Sequence, residues 1–385
     1  MHERSVAVFA GGGTGGHLYP ALALADELVR QRPGTRPYFF GARRGIEARV
    51  LPERQLEHRL LPVRGLNRSE LVSNLGVPWA LVRSVAITIS LLRSLEPEVV
   101  VVTGGYAGAP AGLAAVMLGI PLVLQEQNAW PGATTRLLSR WAAQVHVAFP
   151  EAAPHLPARA QQAIHVSGCP IRPLPLQSPD RDAVCARFNL DSGLNVMVVV
   201  GGSQGSKALN DLVFGAVGRT THGEGTQLEG WQVLWATGPA HHSNVDAALA
   251  GSQTSVPVRT VPYIEDIPSA LSIAHMAVSR AGAMTTAELL AWGVPAILVP
   301  LPTAAANHQE LNARALQEAG AAIHLRQADN GPEILWNEMV ALAEDEDRLE
   351  AMSRSARDRS RPEATAEIVT EMTQLLPEPQ RKAGA

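Results

Sequence analysis

Two segments of this chain carry the residue types and spacings that chemistry on a phosphorylated ligand would need. In the first, Gly11, Gly13 and Gly16 fall in a GxGxxG spacing and His17 follows at once. Glycines let a backbone approach an anion, and a helix start offers unpaired N–H groups and a partial positive charge. A loop built only for phosphate does not need the ionisable imidazole of His17 beside it. In the second segment, Thr285 and Thr286 stand ahead of a helical pattern with Glu288 in its first turn. That arrangement is a capping pattern in its own right. Alternatively, a diphosphate lies at this helix start while Glu288 binds ribose hydroxyls. Two more glycine runs, GGYAG (104–108) and GGSQG (201–205), raise the number of such loops to three.

These residues must be held by something, and the pattern around them is strand, glycine loop, helix, strand. The front half opens with SVAVFA (5–10), then a helical pattern over 18–31, then the strand RPYFFG (36–41). Further strand patterns stand at 99–103 and 120–125. The back half repeats the plan with a strand entering the 201–205 turn, a helix over 207–217 and a strand over 231–238. Later strands are expected at 275–282, 294–300 and 321–325. The fold class is therefore α/β, with two Rossmann-like doubly wound domains facing a cleft. Open sheets of this kind bind ligands at the carboxyl ends of their strands, so the cleft is the expected active site.

The expected domains are residues 1–167, an acceptor- and membrane-facing unit, and 180–363, a donor-binding unit. Residues 168–179 hold Pro170, Pro173, Pro175 and Pro179, and read as a stiff linker. A last helix is expected over 364–376, packing back on the first domain, before a mobile tail over 377–385.

Composition narrows the classes. The two cysteines, Cys169 and Cys185, give neither a disulfide framework nor a zinc motif. The N-terminus lacks the pattern of a signal peptide. Residues 99–125 contain no Asp, Glu, Lys or Arg, but the GGYAGAP breaker cluster divides them into two buried strands rather than one membrane span. Residues 1–170 carry 16 Arg against 11 Asp or Glu, whereas the remainder carries 16 Lys or Arg against 25 Asp or Glu. The front half alone would suit an anionic partner, and nothing points to nucleic acid.

A nicotinamide enzyme is one reading of the first glycine loop. It calls for an acidic residue at the end of the second strand, to hold a ribose. Here that strand ends in Gly41, Ala42, Arg43 and Arg44, and the first acid, Glu47, comes several residues late. The arginines would still suit a 2′-phosphate. One dinucleotide needs one glycine loop, however, and a diphospho-sugar facing a diphospho-lipid could use several.

The motifs GGGTGGHLYPALALA (11–25), GGYAGAPAGLAA (104–115), QEQNAWPG (125–132), GCPIR (168–172), GGSQGS (201–206), PYIEDI (262–267), SRAGAMTTAELLAWGVPAILVPLP (279–302) and NHQELNA (307–313) occur in the order of one family. Over about residues 5–370 the chain resembles the MurG family of UDP-N-acetylglucosamine:N-acetylmuramyl-(pentapeptide) pyrophosphoryl-undecaprenol N-acetylglucosamine transferases. It departs from that pattern at Cys169, usually Asn, and at Gln125, where His is common.

The resemblance implies a GT-B fold, inversion at the sugar's anomeric carbon, and neither a cofactor nor a required metal. It implies transfer of GlcNAc from UDP-GlcNAc to the 4-hydroxyl of undecaprenyl-pyrophosphoryl-MurNAc-pentapeptide, in peptidoglycan synthesis at the cytoplasmic face of the bacterial cell membrane. Cell-wall synthesis proteins and an anionic membrane surface are the further partners it suggests. By position, the backbone at Ile264 would read uracil with Arg172 beside it. Ser203 and the turn of Ala283, Met284, Thr285, Thr286 and Ala287 would contact the diphosphate, and Glu288 the ribose. Gln309 and Asn128 would recognise sugar hydroxyls. Thr14, Gly15, Gly16 and His17 would face the transferred group.

An inverting transfer needs a base for the acceptor proton and a counter-charge for departing UDP. No DxD motif ends a strand, so helix N-termini and loop amides would supply that electrostatics. An imidazole titrates ordinarily near pH ~6.5 and accepts a proton at neutrality. His17 and Glu126 are the two candidate bases. A lipid acceptor also predicts a membrane-facing patch over 66–83, with Leu71, Leu75, Trp79 and Leu81 among Arg68 and Arg83, joined by Arg93, Arg136 and Arg140. Residues 84–92 read instead as a core helix with a solvated face.

Overall fold

Alternating burial along the strands is what builds the two sheets. In β1 (Val6–Gly11) the residues Val6, Val8 and Ala10 enter one core, while Ala7 and Phe9 enter the core on the opposite face. A strand with both faces covered can be apolar throughout, as is usual for parallel sheets between helices. The computed structural model describes residues 5–65, 76–202, 204–218 and 228–377. The chain divides into two units, one of Met1–Arg172 with Glu363–Ala385 and one of Pro173–Pro362.

The first unit continues through α1 (Gly15–Gln31), β2 (Arg36–Ala42), α2 (Glu47–Glu53), β3 (His58–Leu61), α3 (Val77–Leu95), β4 (Val99–Gly104), α4 (Gly105–Leu118), β5 (Leu122–Glu126), α5 (Ala133–Leu138), β6 (Gln144–Val147) and β7 (Ile164–Val166). Among the described residues its sheet is parallel, in the order β3-β2-β1-β4-β5-β6-β7. Residues of α3, α4 and α5 share a core with one face, and residues of α1 and α2 share a core with the other.

The second unit holds α6 (Arg181–Phe188), β8 (Asn195–Val200), α7 (Lys207–Val217), β9 (Trp231–Ala236), α8 (His242–Ala250), β10 (Val258–Val261), α9 (Ile267–Ser272), β11 (Ala274–Ser279), α10 (Ala283–Trp292), β12 (Ala296–Leu298), α11 (His308–Glu318), β13 (Ala322–His324), α12 (Pro332–Ala343) and α13 (Glu346–Arg359). Its parallel sheet runs β10-β9-β8-β11-β12-β13. Met197 and Val199 face the α7 and α12 side, and Val196 and Val198 face α6 and α9. Each sheet thus has the doubly wound order 3-2-1-4-5-6, the first with one strand more. Strand order reverses beside β1 in one unit and beside β8 in the other, which is where such folds take ligands.

The last helix, α14 (Ala364–Thr373), belongs to the first unit. Its Ile368, Val369 and Met372 join the core that α1 and α2 share with the sheet. Thr365 Oγ1 donates to Ile171 O at 2.8 Å, and Gln144 Nε2 donates to Glu371 O at 2.9 Å. The segment 168–171 is buried, and the division between units falls after Arg172, inside the proline-rich stretch.

Candidate functional site

In the first unit the crossover point is built from the loops after β1, β4 and β5. Gly104 and Gly105 have φ values of +98° and +71°, which L side chains rarely adopt. A Cβ on Gly105 would lie 2.2 Å from Gly12 O, so the two glycine loops touch through their backbones. Thr14 is the N-cap of α1 in extended conformation, without a side-chain cap bond, and Gly15 and Gly16 form the first turn. Thr14 and Gly16 are exposed and Gly15 and His17 half-buried.

His17 is held in one orientation. Its Nδ1 is 3.1 Å from Thr103 O and 3.0 Å from Gln127 Oε1. Gln127 Nε2 in turn donates to Thr103 O at 2.7 Å and to Gln125 O at 3.2 Å, and also meets Gln125 Oε1. With its nitrogen committed to these acceptors, Gln127 offers His17 an oxygen. Nδ1 therefore faces two acceptors and carries a proton, and in the matching neutral tautomer the lone pair is on Nε2. That is the state a general base requires.

Glu126 is placed differently. It is 2% exposed, and its Oε1 accepts from Asn128 N at 3.1 Å and Asn128 Nδ2 at 3.2 Å while Oε2 accepts from Gly132 N at 2.9 Å. Both oxygens thus organise the 126–132 turn and orient Asn128. Its neighbour Gln127, not Glu126, reaches His17.

Glu47 is wholly buried and its two oxygens accept from Gly13 N, each at 3.0 Å. Oε1 also accepts from Ala42 N at 2.8 Å. The acid that comes late for a ribose therefore bends back onto the glycine loop. Glu47 is thus committed to the loop backbone and is not placed to hold a ribose, which counts against the dinucleotide reading.

The second unit repeats the geometry with other residues. Gly205, at φ +73°, packs against Gly238, and Ser206 Oγ caps α7 by accepting from Leu209 N at 3.4 Å. Ser203 lies outside the described residues. Arg280, just past β11, is 4% exposed. Its guanidinium donates to Ser206 Oγ at 3.2 and 2.7 Å, Val299 O at 3.0 Å, Pro300 O at 3.2 Å and Gln327 Oε1 at 2.8 Å. Burial lowers its pKa to about 10, so it stays charged at neutrality, fixed by neutral oxygens beneath the 201–206 turn.

The capping expectation for Thr285 and Thr286 is overturned. The helix α10 starts three residues earlier, at Ala283, with Gly282 as its extended N-cap and no side-chain cap bond. Thr286 Oγ1 turns back to donate to Gly282 O at 3.1 Å and Ala283 O at 3.0 Å, because it sits inside the first turn and is buried. Ala283, Met284 and Thr285 form the first turn, and Thr286 N donates to Gly282 O at 2.9 Å. Ala287 and Glu288 follow, both half-buried.

Gln309, at the start of α11, uses Oε1 to accept from Leu301 N at 3.0 Å, which ties it to the loop after β12. Ile264 is buried against the α6 and α9 core, so it is the backbone of this residue, not the side chain, that could meet a ligand. Arg172 is exposed and is the last residue of the first unit.

The sequence reading missed Thr103, Gln127 and Arg280, and took Glu47 only as a misplaced ribose ligand. A charged residue directly after an apolar strand and two before a glycine was the available signal for Arg280. Nothing in the spacing pointed to Gln127. Of the expected membrane patch, Arg68, Leu71 and Leu75 lie outside the described residues. The described part, α3, is long and apolar enough to cross a membrane, and it buries Ser84, Thr88 and Leu92. Among the described residues no three His, Cys, Asp or Glu side chains converge to chelate a metal.

Comparison with known proteins is consistent across the whole chain. Residues 7–147 match the Glycosyltransferase family 28 N-terminal domain and residues 196–368 its C-terminal domain. The UDP-N-acetylglucosamine--N-acetylmuramyl-(pentapeptide) pyrophosphoryl-undecaprenol N-acetylglucosamine transferase of Salinibacter ruber is 40% identical, over 96% of both chains. The protein of the same name from Chlorobium phaeobacteroides is 38% identical over 96% of this chain and 98% of its own. Among solved structures, Acinetobacter baumannii MurG is similar with a TM-score of 0.76 and 29% identity, over 96% of this chain and 99% of that one. The UDP-GlcNAc 2-epimerase of Neisseria meningitidis shares the fold, with a TM-score of 0.65 at 14% identity over 96% and 99% of the two chains.

Proposed function

The chain belongs to glycosyltransferase family 28, and from that premise we propose that it moves N-acetylglucosamine from UDP-GlcNAc to the 4-hydroxyl of undecaprenyl-pyrophosphoryl-MurNAc-pentapeptide. Near-full-length identity of 38–40% to transferases of that name supports the reaction. The observation that carries the mechanism is the pinned imidazole of His17, whose Nδ1 meets two oxygen acceptors.

In this reading the second unit supplies most of the donor contacts. The amides at the start of α10, the 201–206 turn with Ser203, and Glu288 receive the diphosphate and ribose. The backbone at Ile264 and the side chain of Arg172 read the base. Gln309 and Asn128 bind sugar hydroxyls, Asn128 oriented by Glu126. The buried charge of Arg280 lies under the same turn, so departing UDP meets fixed positive potential without solvent reorganisation.

The first unit takes the acceptor. Thr14, Gly15 and Gly16 border it, and His17 Nε2 accepts the proton of the attacking hydroxyl. A bond forms from that oxygen to the anomeric carbon as the bond from the anomeric carbon to the UDP oxygen breaks, with inversion. Between the two candidate bases, His17 is favoured because both oxygens of Glu126 are already engaged and the group is almost wholly buried.

A lipid acceptor implies work at the cytoplasmic face of the membrane. Trp79 and Val82 on α3, Met117 on α4, Leu137 on α5 and Trp141 beyond it are exposed. Arg140 lies over the Trp141 ring and Arg136 over Trp130. Apolar side chains with cations among them suit anionic lipid. UDP release in the presence of UDP-GlcNAc and the lipid acceptor tests the reaction. His17→Ala should lower turnover by ~10²-fold or more with donor binding retained; unchanged turnover would remove the base assignment.

A further inference from the structure

We propose that Glu310 is a positioning residue for recognition of the donor sugar, acting through its neighbour Gln309. The proposal rests on the transferase reading, which gives Gln309 the sugar hydroxyls, and its cause lies wholly within the second unit. Gln309 Oε1 is committed to Leu301 N, so recognition of a hydroxyl falls to Nε2, which donates. One bond to a loop amide does not fix the direction of that donor. The placement of the first turn of α11 does, and the next residue sets it.

Glu310 is 5% exposed and gathers three basic side chains. Its Oε1 accepts from Arg314 Nε at 3.0 Å and pairs with Arg326 Nε at 3.1 Å, while His324 Nε2 lies 3.0 Å from its Oε2. An ionised carboxylate only accepts, so His324 Nε2 carries a hydrogen. Arg314 lies one turn along the same helix and would meet Glu310 wherever α11 lay. His324, the last residue of β13, and Arg326 just beyond it belong to another element, and they tie the helix start to the sheet. Charge-assisted bonds to a nearly buried carboxylate are costly to break, because the freed group stays out of water.

The entry to α11 needs such an anchor. Ala306 and Asn307 stand in succession at φ +51° and +56°, in the left-handed region, which is uncommon for alanine. A conformation of this kind persists only where surrounding contacts hold it. Asn312 Nδ2 supplies one such contact, donating to Ala281 O in the loop after β11 at 3.1 Å, and Glu310 supplies the rest. The segment after β13 also reaches the turn assigned to the diphosphate. Gln327 Oε1 accepts from Arg280 at 2.8 Å, and Arg280 donates to Ser206 Oγ. Residues 324–327 therefore run from the start of α11 to the buried charge beneath the 201–206 turn, and Glu310 is where the helix is attached to them.

Calorimetry on the full chain, with UDP and with UDP-GlcNAc, separates this role from general support of the fold. Glu310→Gln keeps the shape and removes the charge. It should weaken UDP-GlcNAc about three- to tenfold and leave UDP within about twofold, because only the sugar end of the donor loses its partner. Arg326→Leu, at a half-exposed position, should move the ratio of the two affinities the same way, and Arg326→Lys should recover part of it. Gln309→Leu is the reference for complete loss of the sugar contact. A folded Glu310→Gln with the wild-type ratio, even at a lowered melting temperature, overturns the proposal; should that variant not fold, a wild-type ratio in Arg326→Leu overturns it. If Gln309→Leu still shifts the ratio in that case, the transferase reading stands. Wild type that binds neither ligand overturns that reading, and the role of Glu310 with it.

Discussion

Replacing Gln127 tests the assignment of His17 without touching the imidazole. In the transition state the ring gains a proton and becomes cationic, and its Nδ1–H then donates to Gln127 Oε1 and Thr103 O as a charged group. A hydrogen bond to a neutral partner contributes about 1 kcal/mol, and one to a charged partner about 1.5–3 kcal/mol. Gln127→Leu loses the difference, about 0.5–2 kcal/mol, which is roughly a two- to thirtyfold drop in kcat. KM for UDP-GlcNAc should stay within about twofold, because Gln127 makes no donor contact in this reading. Gln127→Glu places a negative charge against the same nitrogen and holds the proton on the ring more firmly. The acidic limb of the kcat/KM profile should therefore move to higher pH in the Glu variant and to lower pH in the Leu variant. The assay is UDP release across pH 5 to 9 by coupled absorbance, with the melting temperature of each variant as a fold control. Two folded variants with the wild-type acidic limb would refute His17 as the base.

Two further outcomes follow from the first unit. Burial, and secondarily the charge of His165, lowers the His146 pKa to about 3. The unfolded chain binds that proton near pH 6.5, so between about pH 6.5 and 3 it binds more protons than the folded chain, and stability falls as pH drops, by up to about 1.4 kcal/mol per pH unit. His146→Gln should flatten this slope in urea unfolding at pH 5, 6 and 7; an unchanged slope would show that other groups, such as the nearby Glu371 and His165, dominate. For the proposed lipid surface, Trp79→Asp/Trp141→Asp should abolish flotation with anionic vesicles while leaving UDP binding intact, and equal flotation of the variant would exclude that surface.

Much of the scaffold was legible before any coordinates. The helix over 207–217 matches α7 end to end, and the long apolar strand patterns at 99–103 and 195–200 are β4 and β8. Apolar runs bounded by glycine report central strands well because both their faces are buried. The strands β3, β6, β7 and β10 were not read, since each is short, lies toward a sheet edge and mixes polar residues such as His58, Gln144, His165 and Arg259 into its pattern. The start of α10 was misplaced because a Gly N-cap carries no side-chain signal, while two threonines imitate one.

By itself the sequence determined the α/β class, the two glycine-led halves and the presence of an imidazole beside the first loop. Local periodicity and turn chemistry suffice for those. Only the tertiary structure decided what the loops do with their amides and charges. Glu47 lies 34 residues from Gly13, Gln127 lies 110 from His17 and Arg280 lies 74 from Ser206, and parallel strand order is what brings each pair together. A carboxylate from α2 against the first loop and a guanidinium from the end of β11 against the second give two similar frames opposite electrostatics, and no spacing rule along the chain encodes that difference.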